Sequence, residues 1–196
     1  MNDTYKDKSL IFKKIYKNYI IENEIKNYIV MDFETTGLDP LKDRITEFTI
    51  LKYTNGTLTK KMTYLVNPNM EIPQIVIDKT GITNEMVSDK LEFMEYIEEF
   101  METIDNNIVV GHNIMFDLKF LNDEIVRYNN NRYFKKEIKY IDTLDLVKLI
   151  NVKTKDHKLE TLKEYLKIDT ISHRSENDCL VTNELLKYCI KELKNI

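Results

Sequence analysis

The sequence Tyr28-Ile-Val-Met-Asp-Phe-Glu-Thr-Thr-Gly37 ends an apolar, β-branched run with two acids, Asp32 and Glu34. The run is typical of a buried strand, and the Thr-Thr-Gly that follows begins a turn. Side chains two residues apart on a strand point to the same face. Two carboxylates at the end of a core strand repel each other and lose water unless a cation lies between them. The pair therefore predicts a metal site at this strand end.

Length and composition indicate one globular unit. With 196 residues, the chain is long enough for one α/β domain with a buried core and short for two. It is 42% hydrophobic and 32% charged, which is typical of a globular protein rather than a disordered or fibrous one. No apolar stretch approaches the roughly 20 residues that span a bilayer, and the N-terminus lacks a signal-peptide core. We expect a cytoplasmic protein.

The charge balance restricts how the protein can bind nucleic acid. A net charge of −4 argues against a basic protein that grips phosphates by bulk electrostatics. It does not argue against a metal-dependent enzyme, because a bound divalent cation supplies local positive charge. The two cysteines, Cys179 and Cys189, lie ten residues apart in one predicted helix, too far to bridge, and are read as reduced core thiols.

Apolar residues at helical spacing among many lysines predict an N-terminal helical extension over residues 1–27. Such a segment packs on the flank of the domain, or it is a docking arm for a partner protein or a nucleic acid. The remaining residues, 28–196, form the second predicted unit.

Strand patterns cover 28–33, 45–53 and 58–66, and the turn Asn55-Gly56 between the last two is a strong hairpin signal. These strands predict an antiparallel meander. Short strands at 108–110 and 138–141 alternate with predicted helices, which gives a mixed five-stranded sheet, a three-strand meander plus parallel strands, flanked by helices. The predicted helices cover 90–104, 114–129, 143–150, 158–166 and 177–193.

Three further residues stand where a metal site could recruit them. Asp117 lies in the first turns of a helix that follows a short strand, and Asp178 lies early in the last helix, five residues after His173. Hard divalent ions such as Mg²⁺ and Mn²⁺ prefer carboxylate oxygens, and a pair of them clamps an in-line attack on phosphorus. No cysteine cluster or His-rich spacing indicates a structural zinc site. His173 then fits the role of a base that takes a proton from water.

Three ordered segments carry a family resemblance. Asp32-Phe-Glu-Thr-Thr-Gly37, His112-Asn-Ile-Met-Phe-Asp117 and His173-Arg-Ser-Glu-Asn-Asp178 match the three motifs of the DEDDh (DnaQ-like) exonucleases in order. That family includes the proofreading exonucleases of bacterial replicative polymerases. The chain resembles it over about residues 28–190. Weaker matches are Asp43-Arg-Ile-Thr-Glu47, Thr80-Gly-Ile-Thr83, Ile141-Asp-Thr143 and His157-Lys-Leu-Glu-Thr-Leu162.

The resemblance implies a ribonuclease H-like α/β fold and two-metal removal of nucleoside 5′-monophosphates from a 3′ end. It implies that Asp32, Glu34 and Asp178 hold the catalytic ion, Mg²⁺ or Mn²⁺. A second ion is held by Asp32 and, through water, by Asp117, and His173 is the general base. The implied contacts to the terminal nucleotide are Thr35, Thr36, Gly37, Leu38, His112, Asn113 and Phe116.

The third motif departs from the family pattern at two positions. Ser175 replaces the usual alanine, and Asn177 stands where a second acid is common. Serine is still small, so we expect activity to be retained. His112 has two readings, a brace of the strand-to-helix turn and a substrate contact.

The predicted substrate is a single-stranded DNA 3′ end, cut by the chain alone or as the editing subunit of a DNA polymerase. The alternative is an exoribonuclease with the same chemistry, since no motif reports how the pocket treats a 2′-hydroxyl. A hypothesis from another class is a non-catalytic nucleic-acid-binding module on the same fold. All five catalytic positions hold the expected residue, which such a module does not need.

Overall fold

A six-stranded mixed sheet forms the centre of the computed structural model, which describes residues 9–169 and 174–195. The strand order is β1-β6-β5-β2-β3-β4. Strands β1, β6, β5 and β2 run parallel to one another, and β3 runs antiparallel to β2 and β4. The strands are β1 (Ile11–Lys14), β2 (Tyr28–Thr35), β3 (Ile45–Thr54), β4 (Thr57–Leu65), β5 (Ile108–Gly111) and β6 (Glu137–Asp142).

Helices cover both faces of the sheet. They are α1 (Lys17–Glu22), α2 (Gln74–Thr80), α3 (Asn84–Val87), α4 (Ile97–Ile104), α5 (Met115–Arg127), α6 (Thr143–Leu149), α7 (Leu159–Tyr165) and α8 (Ser175–Leu193). Short 3₁₀ turns lie at Phe93–Tyr96 and Asn131–Tyr133. The predicted helix at 90–104 is therefore shorter, because its first residues form a loop and a 3₁₀ turn.

The predicted hairpin forms between β3 and β4. Asn55 and Gly56 both have positive φ, 52° and 77°. A two-residue hairpin turn of this twist requires positive φ at both central residues, which asparagine and glycine tolerate. The meander predicted from the sequence is confirmed.

The prediction of five strands is wrong by one. The sixth strand comes from the N-terminal segment, where β1 pairs in parallel with β6 and the Ile11 amide donates to the Lys136 carbonyl at 2.9 Å. Within the described part of this segment only α1 is helical, so the helical pattern was misleading at 11–14. The physical reason is that β6 has an open edge whose backbone groups need partners, and a local pattern does not report that demand.

Alternation along β2 divides the core into two layers. Ile29, Met31 and Phe33 point into the layer that contains α4 and α5. Tyr28 and Val30 point to the other face, beneath α6 and α8. Asp32 and Glu34 continue the second face, so the acid pair lies beside α8.

Both cysteines are buried and free, which confirms that they are reduced core thiols. Among the described residues, no helix combines the length and the apolar character that crossing a bilayer requires.

Candidate active site

The acid pair lies where β2 passes the end of its parallel neighbour. Strand β2 pairs with β5 only from Tyr28 to Val30, and β5 ends at Gly111. The last residues of β2 therefore have an open edge on that side. Ligand sites in α/β sheets lie at the carboxyl ends of such strands, and Asp32 and Glu34 stand at this one.

Helix α8 brings a third carboxylate to the pair. One carboxylate oxygen from each of Asp32, Glu34 and Asp178 lies within 4.8 Å of the others. Asp32 and Asp178 are partly exposed to the cleft. The structure thus brings together the three acids that the resemblance assigned to one ion.

The carboxylates raise one another's proton affinity. Burial raises the pKa of Asp32 well above its usual value, and the charges of Asp117, Asp178 and Glu34 raise it further. Burial also raises the pKa of Glu34 to about 7, with Asp178 adding to the shift. A cation among these groups removes both the desolvation cost and the repulsion, so the raised pKa values indicate a cation-binding site.

Asp117 reaches the same strand end from the start of α5. Its side chain is 3% exposed, and its Oδ1 accepts a hydrogen bond from the Phe33 amide at 2.9 Å. That amide lies on the edge of β2 that β5 leaves open. Burial raises the pKa of Asp117 above its usual value, although the Phe33 amide favours the charged form. The bond ties Asp117 to the strand that carries the acid pair.

Glu47 on β3 holds the beginning of α8. Glu47 pairs in register with Glu34 and is 1% exposed. Its Oε1 accepts from Arg174 Nη2 at 2.5 Å, and its Oε2 accepts from the Ser175 amide at 3.0 Å and from the Ser175 hydroxyl at 2.9 Å. The Asp178 amide in turn donates to the Arg174 carbonyl at 3.1 Å. One buried carboxylate therefore fixes the helical turn that carries Asp178.

A cleft of about 600 Å³ opens above the acids, and we call it the apolar lobe. Its lining includes Leu38, 83% exposed, and Ile75, 78% exposed. Large apolar side chains this exposed beside charged groups are typical of ligand-binding clefts. All the predicted site residues that the structure describes line this lobe: Asp32, Glu34, Thr35, Thr36, Gly37, Leu38, His112, Asn113, Phe116, Asp117 and Asp178.

The predicted base, His173, lies outside the described residues. Of the same motif, the structure describes Arg174 and Asp178. The role of His173 stays a prediction.

Both ring nitrogens of His112 contact protein atoms. Nε2 lies 2.8 Å from the His157 carbonyl oxygen, and Nδ1 lies 3.0 Å from the Thr143 hydroxyl. Burial lowers the pKa of His112 to about 4, so the ring is neutral near pH 7. With a carbonyl as partner, Nε2 carries the proton and Nδ1 accepts from the hydroxyl. His112 thus braces the turn after β5, and the rest of its ring lines the cleft.

Glycine at position 37 leaves room for the Asp43 carboxylate in the turn after Thr36. A Cβ on Gly37 would lie 2.3 Å from the Asp43 carboxylate. That carboxylate accepts from the Thr36 hydroxyl at 3.2 Å and from the Asp39 amide at 2.9 Å. The turn is closed by these bonds, and Leu38, which belongs to it, lines the cleft and is 83% exposed.

An ion-pair network holds this turn against α5. Arg44 Nε donates to Glu124 Oε1 at 2.6 Å, and Arg127 Nη1 donates to the same oxygen at 2.9 Å. Arg127 also donates to the Pro40 carbonyl at 3.0 Å. Glu124 is 1% exposed, so these contacts give the turn a fixed position over the acids.

Sequence reasoning missed three residues of this region. In the sequence, Glu47 stands only within the weaker family match that begins at Asp43. Its role depends on the register of β2 and β3. Ile75 and Lys79 belong to α2 and reach the cleft through tertiary packing. A signal for Glu47 existed, because an acid inside an apolar strand needs a partner.

Another cavity, of about 660 Å³, lies at the opposite end of the sheet. Asn27, Ile108 and Glu137 line it where β2, β5 and β6 begin. It contains none of the clustered acids and is not the candidate site.

The donor set of the acid cluster suits a hard divalent cation. All three groups offer carboxylate oxygen, and no cysteine or histidine ligand among the described residues joins them. Mg²⁺ and Mn²⁺ prefer such ligands. The residues present fit the metal that the resemblance implies.

Comparison with known proteins gives the family. The exonuclease family model RNase_T matches residues 29–186. The chain is 34% identical over 170 residues to the PolC-type DNA polymerase III of Bacillus subtilis (strain 168), covering 86% of the chain and 12% of the polymerase. It is 30% identical over 173 residues to the 3′-5′ exonuclease DinG of the same organism, covering 87% of the chain and 18% of that protein. The chain thus spans a small part of the relatives that it matches.

Solved structures share the fold. Exonuclease X in complex with 5′ overhanging duplex DNA has a TM-score of 0.64 at 23% identity, covering 86% of this chain and 92% of that one. Escherichia coli exonuclease I in complex with a dT13 oligonucleotide has a TM-score of 0.70 at 17% identity, covering 87% and 42%. The ribonuclease H-like α/β class predicted from the sequence is confirmed. By its match to the exonuclease family model over residues 29–186, this chain belongs to the DnaQ-like 3′-to-5′ exonuclease family.

Proposed function

We propose that the protein is a metal-dependent 3′-to-5′ exonuclease that removes nucleoside 5′-monophosphates from single-stranded DNA ends. The observation that supports this most is the cluster of Asp32, Glu34 and Asp178 within 4.8 Å at the end of β2. Phosphodiester hydrolysis needs stabilisation of charge on the phosphoryl oxygens and a deprotonated water. Grouped carboxylates that hold divalent ions meet both needs.

Two ions, Mg²⁺ or Mn²⁺, are the proposed cofactors. Asp32, Glu34 and Asp178 are the ligands of one, and Asp32 with a water-mediated Asp117 holds the other. When bound, the ions supply Lewis-acid polarisation of the scissile phosphate and of the attacking water. The chain's own contribution is to fix the ligands, through the Phe33 amide on Asp117 and through Glu47 at the start of α8.

His173 is the proposed general base. A neutral imidazole near pH 7 takes a proton from water, and His173 precedes the turn that Glu47 holds. His112 does not compete for this role, because its two ring nitrogens are bonded to the Thr143 hydroxyl and the His157 carbonyl.

The apolar lobe is the proposed pocket of the terminal nucleotide. Leu38 and Ile75 offer exposed apolar surface to a base, and Phe116 adds an aromatic side chain. Thr35, Thr36, Gly37, His112 and Asn113 complete the proposed contacts. The Thr35 hydroxyl already donates to the Gly37 carbonyl at 2.6 Å, so its role is to shape the turn beneath Leu38.

DNA is proposed over RNA on two grounds. The relatives that match over most of the chain include DNA polymerases, and exonuclease I, which shares the fold, has been solved with a DNA oligonucleotide. A polymerase subunit is accordingly the proposed partner. An exoribonuclease with the same chemistry is the second candidate, and a non-catalytic module is the least favoured, because it has no chemical need for three carboxylates grouped within 4.8 Å.

The test is a time course on single-stranded DNA and RNA of identical sequence, labelled at the 5′ end, with Mg²⁺. The proposal expects products that shorten by one nucleotide at a time from the 3′ end, faster on DNA. Asp32→Ala should abolish the ladder, and Glu98→Gln, in an exposed ion pair with Arg132, should leave it unchanged. Faster shortening of RNA would select the exoribonuclease, and internal cuts or loss of the 5′ label would overturn the proposal.

A further inference from the structure

A second cavity adjoins the apolar lobe and shares its floor. This cavity, of about 610 Å³, is lined by Asp32, Lys79, His112, Asn113 and Asp178, which also line the apolar lobe. The two cavities therefore meet above the acids. We call the second one the lysine lobe, after the three lysines that line it: Lys79, Lys148 and Lys158.

The three lysines come from separate elements. Lys79 lies in the last turn of α2, Lys148 in the last turn of α6, and Lys158 directly before α7. Among the described residues, none of the three forms an ion pair. Lysines without an ion pair among the described residues also occur elsewhere, at Lys52 and Lys119 for example, but these do not line either lobe. In an acidic chain, three unpaired cations around one cavity call for an anionic ligand.

Three acidic residues also line the lysine lobe, and none of them forms an ion pair with the three lysines among the described residues. Asp32 and Asp178 belong to the acid cluster. Glu160 is the third acid. His157 also lines the lobe, and its Nε2 lies 3.0 Å from the Val152 carbonyl oxygen.

The shared lining places the lysines beside the acids. Lys79 lines both lobes, together with Asp32 and Asp178. Lys148 and Lys158 line the lysine lobe, where the same two acids also stand.

We propose that the lysine lobe binds the backbone phosphates of the nucleotides that precede the terminal one. The single strand enters through the lysine lobe and presents its 3′ nucleotide to the apolar lobe, with the scissile bond above the acids. The inference rests on the proposed function, and it adds the direction of the strand and the residues that hold it. Lysine contacts to phosphates position a strand without reading its bases, so binding is independent of sequence.

The test uses a double variant, Lys148→Gln with Lys158→Gln, and two substrates. One is a dT oligomer of about ten nucleotides, and the other is the p-nitrophenyl ester of thymidine 5′-monophosphate, which has no nucleotide beyond the terminal one. The variant should raise the KM for the oligomer by about tenfold or more, since each charged contact contributes that order of affinity. Its kcat/KM for the ester should stay within about twofold of the wild type.

Salt dependence gives an independent readout. Each phosphate contact to a single strand contributes about 0.7 to the slope of log affinity against log salt, so the double variant should reduce the slope by about 1.4. The matched control is Lys52→Gln with Lys119→Gln, which changes the net charge equally at lysines outside both lobes. The control should keep the slope and the KM of the wild type.

An equal KM and slope in the double variant and the control would overturn the inference, as would an equal loss on both substrates. If the wild type hydrolyses neither substrate, the proposed function fails. The lobe is then decided by fluorescence anisotropy of a labelled dT oligomer in EDTA. A weaker affinity and a lower salt slope for the double variant support the lobe, and unchanged values overturn it.

Discussion

Replacement of Glu34 by glutamine should stabilise the metal-free protein, and the gain should depend on pH. Burial raises the pKa of Glu34 from 4.5 to about 7. Between those values the folded state keeps a proton that the unfolded state releases. The free energy of unfolding therefore falls as the pH rises, by about 1.4 kcal/mol for each pKa unit, or about 3 kcal/mol in all.

The measurement is urea unfolding in EDTA at about pH 4.5 and about pH 8.5, with the wild type and Glu34→Gln compared at each pH. The two proteins should differ little at the lower pH. At the higher pH the variant should be more stable by about 3 kcal/mol. Glu98→Gln, at an exposed ion pair, should change stability by less than about 1 kcal/mol at both values.

The same unfolding experiment can be repeated with metal present. Adding Mg²⁺ at the higher pH should stabilise the wild type, because ligand binding to the folded state shifts the equilibrium, and should stabilise Glu34→Gln less. A variant that is destabilised at every pH would contradict the raised pKa of Glu34. So would a difference between variant and wild type that is the same at both pH values.

Further substitutions test other parts of the site. Glu47→Ala should leave the buried Ser175 amide without its acceptor and lower the free energy of unfolding by about 1–3 kcal/mol in urea titrations, and a loss below about 0.5 kcal/mol would contradict the role given to Glu47. Gly37→Ala should displace the Asp43 carboxylate and lower kcat/KM by up to about 100-fold in an oligonucleotide assay, with unchanged activity counting against the proposed turn. His173→Ala should lower kcat much more than it raises KM, and a pure KM effect would refute the assignment as base.

The acid pair Asp32 and Glu34 could be found from the sequence because it follows a local signal. Asp32 and Glu34 end an apolar run at strand spacing, and Asn55-Gly56 marks the turn of the hairpin beside them. Asp178 lies far away in sequence, and only the family resemblance led us to expect it near the pair. Periodicity alone does not give the distance between two elements.

Features that depend on tertiary packing were out of reach. Strand β1 forms because β6 has an open edge. The apolar residues in and around β1 fit a helical pattern equally well. Glu47 holds Arg174 only in the register of β2 and β3. The three lysines of the lysine lobe stand on separate elements, so nothing in their sequence spacing brings them together.

In the proposed function, the acid pair of β2 holds a divalent metal that is needed to cut a 3′ end. The most direct test removes metal from the protein with EDTA and then titrates Mn²⁺ back. Calorimetry follows metal binding, and release of mononucleotides from 3′-labelled single-stranded DNA follows activity. Release should be absent from the stripped protein, return in step with metal occupancy, and stay absent in Asp32→Ala, which should also bind Mn²⁺ more weakly. Mononucleotide release that survives metal removal, or that is undiminished in Asp32→Ala, would contradict metal-dependent cleavage at this acid pair.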